Sequence, residues 1–153
     1  MPSIEKTIAN AERKCAQHGK KLTPKREKVL RALLNSKSAL SPYELANLFK
    51  KQRTEPMPAM SIYRILDLLS EMGLAHKLET ANKYVACSHI ACDHEHRGSQ
   101  FLICNDCNMV EEIDVSFEAL SAVESAADAV GFSLHNQHIE VTGLCGRCNP
   151  ASG

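Results

Sequence analysis

"AMSIYRILDLLSEMGL" (residues 59–74) runs straight into "AHKLETANKYVAC" (residues 75–87), and the reading of this join decides the fold. In the first stretch Ile62, Ile65, Leu66 and Leu69 recur at helical spacing, and Gly73 is a stop signal. In the second, apolar and polar residues alternate on either side of "TANK" (residues 80–83), as in a short hairpin. A helix that feeds a two-stranded wing is the core of a winged helix-turn-helix, with the helix of about residues 60–72 as the one that enters a major groove.

Reading outward toward the N-terminus supports this. "SIEKTIANAERKCAQHG" (3–19) places Ile4, Ile8, Ala11 and Cys15 on one helical face, with Gly19 as a stop. "LTPKREKVLRALLNS" (22–36) begins with Thr23 as N-cap and Pro24 in the first turn, and Val29, Leu30, Leu33 and Leu34 form its stripe. "LSPYELANLFKKQ" (40–52) repeats the signal, with Ser41 and Glu44 spaced as a capping box. "EPMP" (55–58) then breaks the chain. On the helix after it, Ser61, Tyr63, Arg64 and Asp67 form the polar face; Tyr and Ser can bond phosphate, and Arg can bond phosphate or guanine. A small helical domain that binds protein would carry the same pattern, with Tyr63 and Arg64 as ordinary surface residues.

Charge sharpens the choice. Lys+Arg and Asp+Glu are both 18, so the chain is not basic throughout. The basic residues crowd the front, where Lys25 and Arg26 are candidate DNA contacts beside Ser61, Tyr63 and Arg64. Residues 111–128 carry only acidic charges. The N-terminus lacks an apolar signal core and no stretch reaches the roughly 18 apolar residues of a membrane span, so a cytoplasmic protein is expected. Stable disulfides are unusual there, which turns the 7 cysteines and 7 histidines toward metal ligation.

The second half reads as strands "FLIC" (101–104) and "VEEIDV" (110–115), a helix "SFEALSAVESAADAV" (116–130), and "FSLHNQHIEVTGLC" (132–145) as one long strand that includes His135 and His138. A unit of roughly 55 residues is too small to be stable alone and needs a metal, a partner chain, or both. Its knuckles, Cys104-x-x-Cys107 and Cys145-x-x-Cys148, each follow an apolar strand. Redox pairs sit at helix N-termini beside βαβ patterns, whereas two strand-borne pairs suit four thiolates around one structural zinc. Such a site has no open coordination position. The remaining donors, His76, Cys87, His89, Cys92, Asp93, His94, Glu95, His96, Glu111 and Glu112, cluster around the join of the halves and suggest a second, more open site whose mixed donors suit zinc.

"LTPKREKVL", "SPYELANLF", "SIYRILDLLSEMGLAHKLE", "FLICNDC" and "GLCGRC" fall in the order and spacing of the ferric uptake regulator family of bacterial metal-responsive repressors, which the chain resembles over roughly residues 8–148. Within it the zinc uptake regulator branch is most similar, since "HKLETANKYVAC" sets His76 and Cys87 where that branch has two sensor ligands. The resemblance implies an α+β homodimer: a winged-helix DNA-binding domain (1–85), a hinge and metal-binding loop (86–98), and a small α/β dimerisation domain (99–153). It implies two zinc ions per chain, one structural on the four knuckle cysteines and one regulatory on His76, Cys87, His96 and Glu112. Cys92, His94, His89 and Glu111 stand as alternative ligands, because the loop before Cys104 is long and holds additional donors. Tyr63 and Arg64 would lie on DNA.

The function implied is a zinc-responsive repressor of zinc-uptake genes, acting on a double-stranded, pseudo-palindromic operator with no membrane and no small organic substrate. "RGSQFLIC" (97–104) interrupts the dense His and Asp run that iron and manganese branches carry before the first knuckle. An iron or peroxide sensor of the same family is the nearer rival. A zinc- or thiol-dependent enzyme is the other, but the H-x-E and P-C-x-x-C of zinc deaminases are absent, so no enzymatic activity is expected.

Overall fold

The computed structural model describes residues 3–90, 99–135 and 137–152. The chain divides into two compact units, Met1–His94 and Glu95–Gly153.

The first unit holds α1 (Ile4–Gln17), α2 (Pro24–Asn35), α3 (Pro42–Lys51) and α4 (Ala59–Glu71), then a hairpin of β1 (Ala75–Leu78) and β2 (Lys83–Ala86). The caps of α2 and α3 are those expected from sequence, and Ser3 adds one on α1. Ser3 and Thr23 accept from backbone amides of α1 and α2, and Ser41 and Glu44 close a reciprocal capping box on α3. The hairpin turns through Asn82, whose φ of 48° lies in the left-handed region that Asn tolerates. Leu30, Leu45, Phe49, Ile62, Leu66 and Leu69 are fully or almost fully buried, and Ile8, Ala11 and Cys15 join them, so α1 to α4 share one core. That core runs past residue 85, where the first domain was expected to end: Cys87 and Ile90 are both 2% exposed within it.

The expected two-stranded wing has a third partner. Leu40, between α2 and α3, exchanges two backbone hydrogen bonds with Tyr84 of β2, at 3.0 and 2.9 Å. Lys83 also pairs with Glu44 at 2.9 Å, and the buried Tyr84 donates its hydroxyl to Asp67 of α4 at 3.4 Å. The wing is thereby tied to α3, α4 and the loop before them.

The second unit is a three-stranded sheet in the order β4-β3-β5, formed by β3 (Gln100–Cys104), β4 (Val110–Ile113) and β5 (Ile139–Gly143), with α5 (Phe117–Ala129) between β4 and β5. β3 pairs antiparallel with β4 and parallel with β5. The long strand expected over 132–145 is confined to the five residues of β5, because β3 offers only five partners and its pairing begins at Gln100↔Ile139. His135 and His138 therefore precede the strand. His138 instead packs its ring on Phe101, with centroids 5.6 Å apart, and sets Nε2 3.8 Å from Glu140 Oε1. Among the described residues, Phe101, Cys104 and Leu120 are the buried apolar ones of this unit. So small a core falls short of what a domain needs to be stable by itself.

Candidate metal centre and DNA-facing helix

The parallel register of β3 and β5 assembles the cysteines. Because the two strands point the same way and Cys104 pairs with Gly143, the chain leaves both at the same end of the sheet and makes two knuckles side by side. The Asn105 amide donates to the Gly143 carbonyl at 2.8 Å, and the Cys145 amide points at Cys104 Sγ from 3.4 Å. Each knuckle closes on itself: Asn108 N–H donates to the Cys104 carbonyl at 3.0 Å, and the amides of Cys148 and Asn149 donate to the Cys145 carbonyl at 3.0 and 2.9 Å.

The sulfurs of Cys104, Cys107, Cys145 and Cys148 lie within 4.8 Å of one another and form no disulfide. Cys107 and Cys145 approach to 3.7 Å. A tetrahedron with Zn–S bonds of about 2.3 Å has S···S edges of about 3.8 Å, so the four thiols fit one metal ion. Their ionisation fits too. Amides of Cys107 and Cys145 aimed at its sulfur bring the Cys104 thiol down to about 6, and the amides of Cys148 and Arg147 lower Cys145. Cys148 is pushed up to about 12, first by its hydrogen bond with Cys145 and then by burial. A cluster that favours thiolates at two corners and holds a proton at a third is completed by a cation, which deprotonates a coordinating thiol. With four protein ligands such a site is closed, and a closed site supplies structure rather than catalysis.

The second predicted set is placed in part. His76 lies on β1 opposite Val85, and Cys87 follows β2 with its amide donating to the Leu74 carbonyl at 3.0 Å. The hairpin thus brings a ligand nitrogen of His76 and the Cys87 sulfur within 4.8 Å of each other. An imidazole and a thiol are donors that zinc accepts. His89 is half-buried beside the Ser88 hydroxyl, at 3.4 Å. In the second unit Glu112 pairs with Phe101, and Glu111 pairs with the exposed Leu102. Neighbouring strand residues point to opposite faces, so Glu112 shares the face of buried Phe101 and Glu111 the face open to solvent. Cys92, Asp93, His94, Glu95 and His96 lie outside the described residues.

On α4 the buried Ile62, Leu66 and Leu69 fix the core side. The opposite face carries Met60, Arg64 and Asp67, at the three- and four-residue steps that align on a helix. Ser61 and Tyr63 flank this face on its two sides, and both are half-buried. Asp67 is engaged by Tyr84, which leaves Arg64, with Tyr63 beside it, as the polar group of the face. Lys25 pairs with Glu55 at 3.8 Å, and Arg26 donates to the Lys21 carbonyl at 2.7 Å, both on the exposed surface. The sequence reading passed over two residues here. Tyr43 of α3 meets Tyr63 edge-on, with ring centroids 6.3 Å apart. Met60 is 66% exposed; its spacing to Tyr63 and Arg64 was the available signal. No described helix is long and apolar enough to cross a membrane.

Comparison with known proteins agrees with this arrangement. The ferric uptake regulator family profile matches residues 17–142. The chain is 36% identical over 150 residues to the zinc uptake regulation protein of Escherichia coli (strain K12), covering 95% of this chain and 83% of that one. Among solved structures, a zinc uptake regulator complexed with zinc and DNA superposes with a TM-score of 0.81 at 33% identity, covering 97% of this chain and 96% of the other. Holo XcZur superposes with a TM-score of 0.76 at 34% identity, covering 95% and 98%. With winged-helix hairpin, paired knuckles and these likenesses together, the chain belongs to the ferric uptake regulator family.

Proposed function

We propose that this chain is a zinc-responsive transcriptional repressor that binds pseudo-palindromic operators of zinc-uptake genes as a zinc-loaded homodimer in the cytoplasm. The observation that carries the reading is within the first unit: the hairpin that brings donor atoms of His76 and Cys87 within 4.8 Å also reaches α4, through the Tyr84–Asp67 hydrogen bond. A metal half-site and a DNA-facing helix are parts of one packed body. The similarity to regulators of zinc uptake, one of them complexed with zinc and DNA, favours zinc as the metal and DNA as the partner. It leaves the enzyme reading without support.

In this reading each chain takes two zinc ions. Cys104, Cys107, Cys145 and Cys148 hold the structural one. His76, Cys87, His96 and Glu112 hold the regulatory one, with Cys92, His94, His89 and Glu111 as the alternatives for a missing donor. Bound zinc supplies a cross-link between donors of the wing, the 86–98 hinge and the 99–153 domain. If the four donors share one ion, its occupancy favours the domain arrangement in which they meet. Differential affinity of roughly 5.5 kcal/mol moves a two-state population from 1:99 to 99:1, within reach of one such site. Tyr63 and Arg64, with support from Ser61, Lys25 and Arg26, then contact the operator from both protomers at once. Dimerisation through the second unit is supported by its surface, where Leu102, Val141, Phe117 and Phe132 are between 41% and 61% exposed.

The test is fluorescence anisotropy on a pseudo-palindromic zinc-transporter promoter across buffered free zinc, with iron(II) and manganese(II) in parallel, and sedimentation for the oligomer. Binding by a dimer that rises steeply with trace zinc alone is expected. Binding that ignores metal, or that answers iron equally, overturns the reading.

A further inference from the structure

We propose that Met60 is a specificity-determining residue, whose thioether chain packs on the C5-methyl group of a thymine next to the base edge met by Arg64; the inference rests on the DNA-binding function proposed above.

Met60 stands in the first turn of α4 and is 66% exposed. A long apolar side chain left in water on a helix start has no stabilising role in the folded monomer. The other four α-helices begin differently: each has a side-chain cap from Ser or Thr, and each has an acidic residue in its first turn, namely Glu5, Glu27, Glu44 and Glu118. α4 has neither a side-chain cap nor an acid there. An acid at that turn would repel phosphate. The N-terminal residues of a recognition helix are those that reach base edges.

The neighbours on the face define what Met60 can read. Tyr63 and Arg64 follow it by three and four residues, so the three side chains form one patch. Tyr43 holds the Tyr63 ring edge-on from α3, giving the patch an aromatic side wall. Arg64 can read guanine through two acceptors, but it distinguishes nothing by methyl group. In the major groove thymine alone of the four bases presents a methyl, and apolar side chains read it. The unbranched, polarizable methionine chain adapts to such a surface.

The experiment replaces each thymine of the zinc-transporter promoter duplex with deoxyuridine in turn, which removes one methyl and leaves every hydrogen bond. Zinc-loaded dimer is titrated by anisotropy as wild type, Met60→Ala and Met60→Leu. At one thymine per half-site, wild type should lose about fourfold in affinity, the equivalent of one buried methyl group. Met60→Ala should bind the thymine and uracil duplexes alike, and Met60→Leu should restore the difference. A thymine preference unchanged in Met60→Ala, or no methyl-sensitive position in wild type, overturns the inference while leaving the repressor reading intact. Absence of zinc-dependent binding by wild type on the unmodified duplex overturns the reading itself.

Discussion

The backbone amide of Cys145 points at the sulfur of Cys104 from 3.4 Å away. This contact joins the start of one knuckle to the start of the other, and it exists because β3 and β5 are parallel and Cys104 is paired with Gly143. The four-cysteine cluster is therefore an extension of the sheet, in a unit whose buried apolar residues, among those described, are Phe101, Cys104 and Leu120.

Removing that centre should unfold the second unit. A structural zinc contributes roughly 10 kcal/mol or more of folding free energy, which exceeds anything so few buried residues can replace. For Cys104→Ser, or wild type with a strong chelator, hydrogen exchange should show amide protection lost across β3, β4 and β5. Retained protection in metal-free protein would refute the structural role.

His76→Ala and Cys87→Ser address the second site. If the proposed regulatory site is theirs, metal analysis should find one zinc fewer per chain in each variant. Sedimentation should still find the dimer, and anisotropy should find no rise in operator binding with zinc. If both variants keep a zinc-activated response, the sensor ligands lie elsewhere.

Glu44 ties the wing to α3 through a charge. Burial pushes its carboxyl up, but the Ser41 amide and the Lys83 ammonium outweigh that and hold it below the ordinary carboxylate value. A carboxyl depressed by folding stabilises the protein fully above its unfolded pKa, and the contribution disappears as pH falls through the folded value. Stability of the first unit should accordingly drop below about pH 4, and Glu44→Gln should flatten that part of the profile. The side chain is 43% exposed, so screening keeps the effect under about 1 kcal/mol. Carboxyl chemical-shift titration reads the midpoint directly.

Tyr84→Phe removes the wing-to-α4 hydrogen bond without changing packing. A loss of about 1 kcal/mol in urea unfolding is expected, the ordinary net value of such a bond. Zinc-dependent DNA binding should weaken with zinc stoichiometry unchanged. Unaltered coupling would show that α3 alone carries the mechanical link.

The helices of the first unit were legible because their signals are local: Thr23 with Pro24, Ser41 with Glu44, and the Ile62–Leu66–Leu69 stripe lie within single elements. The knuckles were legible from spacing, although nothing in the spacing revealed that parallel pairing of Cys104 with Gly143 is what joins them. Long-range pairings are where the sequence was opaque. The Leu40–Tyr84 bridge joins residues from separate elements with no shared pattern, and the length of β5 is set by β3 rather than by its own apolar run. Met60 was missed for a different reason, since composition cannot tell an apolar residue that faces the core from one that faces water.

The parallel pairing also has a consequence for biosynthesis. Cys104 and Cys107 emerge from the ribosome well before Cys145 and Cys148, and β3 has no parallel partner until β5 has been made. Domains assemble from the N-terminus as synthesis proceeds, so the first unit is finished while the second still waits for its last strand. The first knuckle is then a pair of exposed thiols, open to oxidation, until the final segment arrives. A single ion held by all four thiols, as proposed above, needs both knuckles, so in the nascent chain it waits for β5 and Cys148.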